Sequence, residues 1–300
     1  MTNQKFPTPW LGSKYGYLTD WVTQIWVKTM GRAIDPLSDS WLLGPVGKAR
    51  YIGKDYFYEL ASESDLTVDD SSPGRGLIQD FNALSGLTFN PEAVEPIIAN
   101  FYEHTSDYDL DAWSEWRGIF RPFGWFLAFL FSRRLQQLNV PLSALDTSHG
   151  VTSDVIHLRD KVTGAIKYTE WVRELKRTRN VLYAGSYSLC PIPLSQGQCV
   201  KVVFPLPNGN VVIVMDPQQH ADGSFSLASV GQRFGEAGFY FVVLGANGRL
   251  TAKYIRAFQE VIHVYADEDE DDGVRADHTL NLWGATFLRL HYRLRKRELQ

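Results

Sequence analysis

"CVKVVFPLPNGNVVIVMD", residues 199–216, sets two apolar runs on either side of Pro-Asn-Gly. Valine, isoleucine and phenylalanine dominate both runs, which suits strands on a pleated, half-buried surface. Asn208-Gly209 is a tight-turn signal. Strands joined by so short a link run antiparallel, because a parallel crossover needs a dozen or more residues.

The same pattern repeats in both directions. Thr163-Gly164, Asp222-Gly223, Asn247-Gly248 and Asp272-Gly273 separate further alternating or apolar runs, including "AIKYTEWVREL", "VLYAGSYSL", "SFSLAS" and "GFYFVVL". Counting residues 153–159, about nine or ten strands are expected after residue 150. The last two runs, 250–266 and 273–294, are long, which suits a strongly bent or coiled sheet. A sheet of this size protects its edges best by curling or closing.

Residues 1–150 read as helical and irregular. Thr19 or Asp20 caps a helix that carries Val22, Ile25, Trp26 and Met30 on one face. "SESDLTVDDSSPGRG" is a polar break. Asn90-Pro91 then has the form of an N-cap and first helical residue, followed by Val94, Ile97, Ile98, Phe101 and Tyr102 at helical spacing. Pro96 inside that pattern kinks the helix or restarts it. A further aromatic helix is expected over 123–138, with its apolar run from Phe123 to Phe131 far short of the roughly 20 residues a membrane span needs. It is expected to be buried, with an interfacial helix, Arg133 and Arg134 toward headgroups, as the alternative.

The expected fold is therefore α+β. A helical region, 1–150, packs on or plugs a large antiparallel, lipocalin-like β-barrel or strongly curved sheet formed by 151–300. Barrels of about eight to ten strands can enclose one small ligand.

Composition agrees with an ordinary globular chain, 44% apolar and 21% charged, but aromatic residues reach 13% with 9 tryptophans. Aromatics line cores and apolar pockets alike. A net charge of −4 and no basic stripe argue against a nucleic-acid partner. The N-terminus shows no basic stretch followed by an apolar one, so a cytoplasmic location is expected, with Cys190 and Cys199 reduced.

"FYEHTSDYDLDAWSEW", "SRRLQQLNVPL", "VVFPLPNG", "GFYFVVL" and "DHTLNLWGATFLRLHY" together resemble the soluble carboxy-terminal region of YndJ-type bacterial proteins. The resemblance covers residues 85–294 and is most specific in the last segment. YndJ-type proteins carry membrane spans ahead of this region, and residues 1–85 contain none. The family is functionally uncharacterised, so the resemblance implies a bacterial origin and an outline, and no catalytic residues.

Motif chemistry narrows the field. There is no G-x-S-x-G elbow, no G-x-G-x-x-G and no Walker loop, which argues against serine hydrolases and nucleotide enzymes. The seven histidines show no metal-ligand spacing. The acid run Asp267–Asp272 fits no calcium loop and reads as a solvated, extended hairpin tip. No cofactor and no metal are expected.

Strand parity then selects candidates. In "GVRADHTLNLWGATFLRLHYRL", residues 273–294, one continuous strand places His278, Leu280, Leu282, Gly284, Thr286, Leu288, Leu290 and Tyr292 on one face. Trp283 and His291 fall on the other. His278 is the acid–base candidate at a cavity wall, against a structural histidine bonded in the core. In "YTEWVREL", Glu170 shares a face with Tyr168 and Val172, and Trp171 with Arg173; one pair faces water and the inward pair orients a polar ligand group. Tyr183 and Tyr187 flank Gly185 on one face, two phenols with space between them. The candidates are thus His278 and Glu170 for catalysis, and Tyr183, Tyr187, Arg173, Trp283 and Tyr240 for ligand binding.

The functional expectation is a cavity that binds an apolar, lipid-like or polyketide-like small molecule. If catalytic, it would be a cofactor-independent isomerase or cyclase, which needs shape, exclusion of water and one or two acid–base groups. The alternative is a non-catalytic scaffold or a membrane-peripheral protein docking through 123–138.

Overall fold

In a computed structural model, which describes residues 18–47, 52–118, 120, 122, 135–137, 147, 149–245, 248–270 and 272–297, the turn inside 199–216 lies one residue earlier than its dipeptide signal. Leu206 pairs with Gly209, so the turn residues are Pro207 and Asn208, and Asn208 takes φ +59°. Proline presets the first turn position and asparagine tolerates the left-handed region at the second. Gly209 instead opens the next strand, where a Cβ would lie 2.1 Å from the Val242 carbonyl oxygen.

Among the elements described in full, three short helices accompany the sheet: α1 (Leu18–Met30), α2 (Tyr56–Glu63) and α3 (Pro96–Glu103). Fourteen strands follow in chain order: β1 (Arg32–Ala33), β2 (Leu66–Asp69), β3 (Tyr108–Trp116), β4 (Val151–Asp160), β5 (Ile166–Leu175), β6 (Val181–Pro191), β7 (Gln198–Leu206), β8 (Gly209–Gln219), β9 (Phe225–Ala228), β10 (Gly238–Leu244), β11 (Leu250–Tyr254), β12 (Phe258–Ala266), β13 (Gly273–Leu282) and β14 (Ala285–Lys296). Strands β3 to β9 with β12, β13 and β14 form a closed ten-stranded antiparallel barrel. Strand β8 closes it by dividing its edge: Gly209–Val214 bonds β10, while Asp216–Gln219 bonds β9, and β9 passes the ladder to β12. Strands β10, β11 and β1 continue outward as a wing, and β2 pairs with β4.

Three expectations change here. Residues 108–116, expected to be helical or irregular, are a barrel strand that pairs with β14 over its whole length. Its alternation explains this: Tyr108, Leu110 and Ala112 are buried between exposed or half-exposed Asp109, Asp111 and Trp113. The long run 250–266 is two strands, broken where residues 255–257 carry the chain from the wing into the barrel. The long run 273–294 is also two strands, a hairpin turning at Trp283-Gly284.

The N-terminal elements lie at opposite ends. Asn90 caps a turn through Glu92 N–H, and Pro96 restarts the chain as α3, one of the two outcomes its position allowed. Ile98, Phe101 and Tyr102 of α3, with Leu77, Phe81 and Phe89, belong to one apolar cluster with the inward residues of the barrel. At the other end α1 reaches the β7–β8 turn, where Gln24 Nε2 donates to Pro207 O at 3.2 Å. Its packing reverses the expected face. Val27, Asp20 and Gln24 are buried, while Val22, Ile25, Trp26 and Met30 are exposed. The expected helix 123–138 lies outside the described residues apart from 135–137, where Leu135 is buried and Gln137 bridges the Ala184 amide and carbonyl.

The acid run is also held more firmly than its composition suggests. Asp267 is buried and paired with both Arg275 and Arg293 at 2.8 and 3.2 Å, and Arg293 also reaches Glu270. Cys190 and Cys199 face each other across β6 and β7 as buried free thiols.

Candidate functional site

Alternation decides what enters the barrel. On β13 and β14 the buried inward set is Val274, Ala276, His278 and Leu280 opposite Leu294, Tyr292, Leu290 and Leu288. The parity reading holds only in part: the turn pairs Leu282 with Ala285, and a register shift between Leu280 and Asn281 restores even opposite even from Leu288 on, so Phe287 lines the cavity and Gly284 and Thr286 do not. A cavity of about 470 Å3 remains between these strands and the rest of the wall. Its lining is overwhelmingly apolar, with Phe204, Phe239, Phe241, Phe258 and Phe287 among its rings. That volume falls in the range of small-molecule pockets, about 300–1,000 Å3.

A polar group set interrupts the apolar wall. Arg173 on β5 is 7% exposed, with its guanidinium carbon 4.0 Å from the Trp171 ring centroid and 4.6 Å from that of Tyr183. Trp171 is itself fixed by an Nε1–H bond to Ser153 Oγ at 2.9 Å. The charge of Arg173 also acts on the Tyr187 and Tyr292 phenols: burial raises both, Tyr292 to about 12, and the guanidinium opposes that rise. Across from it, His278 Nε2 lies 2.9 Å from Glu260 Oε2, both side chains being buried. Glu260 sits in the wall because β12 places Glu260, Ile262 and Val264 on the cavity side.

This arrangement has definite chemical capacity. An ionised Glu260 accepts the Nε2 proton of His278, which leaves Nδ1 as the basic nitrogen. A base so oriented can take a proton from a bound molecule, with Glu260 stabilising the imidazolium that results. Arg173 and the phenols offer donors to an oxygen bearing negative charge. Such interactions are strengthened where water is excluded.

The structure brings His278, Arg173, Tyr183 and Tyr187 to the cavity and leaves the other candidates outside it. Glu170 is wholly buried on the outer side of the wall, where the α2 cluster of Tyr56, Phe57 and Leu60 covers β5. Neither pair of "YTEWVREL" faces water, because both faces of β5 are covered. Tyr240 points away from the cavity into a second cluster against Trp41 and Phe234. Trp283 is 80% exposed at the β13–β14 turn, since a turn residue takes no part in strand alternation. Nor does Gly185 leave room between the two tyrosines: a Cβ there would lie 2.9 Å from the Phe204 ring, which fills the space. His291 is outside, bonded to Asp277 at 2.7 Å.

Tyr292 and Glu260, beside Arg173 and His278 in the cavity lining, are absent from the candidate set. Tyr292 stood on the His278 face already, and Glu260 was visible as an acid at an inward position of an otherwise apolar alternating face. Among the described residues no group of three or more His, Cys, Asp or Glu side chains is arranged to hold a metal ion.

Comparison with known proteins supplies a relative. At 25% identity over 246 residues, 81% of this chain, the sequence is similar to a protein of Bacillus subtilis (strain 168). That protein is the uncharacterized membrane protein YndJ. The similarity reaches beyond residues 85–294, and the chain spans 41% of the length of YndJ. No protein-family model matches the chain, and no solved structure matches it. Among the described residues no helix is long and apolar enough to cross a membrane, which says nothing of strands.

Proposed function

We propose that the barrel binds one apolar small molecule, lipid-like or polyketide-like, with a polar end turned toward Arg173, Glu260 and His278. The supporting observation is that these three buried polar residues line a cavity whose walls are mostly apolar, the other polar lining apart from tyrosines being Asp20, Thr23, Gln24 and Asn210 on α1 and the start of β8. A core built only for stability has little use for them, because buried charges are costly unless fully paired. The use of a barrel interior would be lipocalin-like in kind. In the catalytic form of this reading His278 moves a proton on a ligand held by Arg173 and the phenols, an isomerase or cyclase reaction. Native mass spectrometry of the protein as expressed tests the binding. A retained mass that is released by denaturation is expected; an empty protein that takes up no apolar compound would contradict it.

A second reading has its own observation. Val22, Ile25, Trp26 and Met30 form an exposed apolar stripe on α1, at the end of the barrel where Asp20, Thr23 and Gln24 border the cavity. Contact with a bilayer would cover this stripe and let an apolar ligand pass directly into the barrel. Co-sedimentation with liposomes that Ile25→Glu and Trp26→Glu abolish supports it. Equal co-sedimentation of wild type and both variants would remove α1 from the account.

A further inference from the structure

Arg173 has fewer partners than a buried cation needs. It is 7% exposed, its Nε has no hydrogen-bond partner, and among the described residues it forms no ion pair. The carboxylate that acts on the same phenols, Glu260, is engaged by His278 at 2.9 Å instead. What surrounds the guanidinium is π-surface from Trp171 and Tyr183, and the hydroxyls of Tyr187 and Tyr292. Stacking contributes to holding the plane in place, but it leaves the hydrogen-bonding edge without an acceptor of opposite charge.

We infer that Arg173, Tyr187 and Tyr292 form a subsite for the carboxylate of a monoanionic amphiphile whose hydrocarbon part fills the rest of the cavity. This rests on the binding reading above and names the class of ligand. A guanidinium fork matches a carboxylate bidentately, and phenol O–H groups are donors for its remaining lone pairs. Charge decides against a phosphate monoester. One arginine balances one negative charge, whereas a phosphate carries about −1.5 to −2 near neutral pH. The excess would sit beside Glu260 in an apolar wall. The rest of the ligand must be largely apolar because the remaining lining is dominated by Leu, Val, Ile and Phe, with the polar Asp20, Thr23, Gln24 and Asn210 confined to α1 and the start of β8.

The test uses the full chain and a neutral fluorescent probe, N-phenyl-1-naphthylamine, displaced by dodecanoate, dodecanol and dodecyl phosphate below their micellar concentrations. Charge-assisted hydrogen bonds of this kind correspond to about a 10- to 100-fold preference. Wild type should therefore bind dodecanoate at least about ten-fold more tightly than dodecanol. Arg173→Met, close in shape and uncharged, should bind the two alike. Its melting temperature should stay level or rise, because a buried cation without an anionic partner is removed. Equal displacement by acid and alcohol in wild type overturns the carboxylate subsite while leaving apolar binding intact. Tighter binding of dodecyl phosphate overturns the choice of anion. An Arg173→Met protein that melts lower and keeps the acid preference assigns Arg173 to the fold. Failure of wild type to bind the probe or any of the three compounds overturns the subsite together with the binding reading beneath it.

Discussion

Glu170 and His278 are buried ionisable residues in opposite situations. Burial pushes the Glu170 carboxyl well above its ordinary range, and the nearby Ser186 hydroxyl offsets that only partly. An unfolded glutamate ionises near pH 4.3. In the folded chain Glu170 keeps its proton to higher pH, so stability from this site is present at low pH and lost as pH rises through that interval. Glu170→Gln should match wild type near pH 4 and be the more stable protein at pH 8. The gap should grow by about 1.4 kcal/mol per pH unit above the unfolded value until the folded carboxyl ionises. A gap constant from pH 4 to 8 in thermal melts would contradict it. His278 is paired, so His278→Ala leaves the Glu260 carboxylate buried alone and should cost about 3 kcal/mol. Replacing both, with Glu260→Gln added, should recover most of that in urea unfolding. Parity in the sequence put His278 and Tyr292 on the cavity face. It could not show that α2 covers the outer face of β5, which makes Glu170 a buried residue away from the site. That cover comes from residues more than a hundred positions earlier.

At the scale of elements, the β13–β14 hairpin shows how a local signal can be hidden. Trp283 and Gly284 both take positive φ, +50° and +80°, the two-residue turn that matches strand twist. Asparagine-glycine announces such a turn; tryptophan-glycine reads as continuing strand. A tryptophan in the left-handed region costs about 1–2 kcal/mol, and at 80% exposure it recovers little through packing. Trp283→Asn should therefore raise stability by about 1 kcal/mol and leave ligand binding unchanged. Loss of stability in urea titration would show that the exposed ring has a partner. Helix α1 fails in the reverse sense. Its apolar spacing correctly marks a helix and gives the wrong inner face, because its neighbour is the polar turn at Pro207 and Asn208, which Gln24 serves through hydrogen bonds. In β3 the alternation of "YDLDAWSEW" was a usable strand signal, obscured by the helical pattern immediately before it.

Across the whole molecule, the antiparallel hairpins and most of their turns were legible and a barrel was expected from the size of the sheet, but the strand pairing that closes it was not legible. Closure depends on the four-residue β9 bonding β8 through a local hairpin on one side and the distant β12 on the other, and no local pattern encodes the second pairing. Once closed, the barrel turns inward residues of its ten strands toward one space, and residues of α3 and of 77–89 share their apolar cluster. The central claim is that this space is a ligand site. Ala276 is buried, lines it and sits on β13 between Val274 and His278. Ala276→Trp fills the space without touching the outer surface. Titration of wild type and this variant with N-phenyl-1-naphthylamine tests the claim most directly. The account predicts one saturable site in wild type, weakened at least about ten-fold in Ala276→Trp by loss of the space the probe occupies, with the melting temperature unchanged or higher. Equal probe binding by both proteins would place the apolar site elsewhere and contradict it.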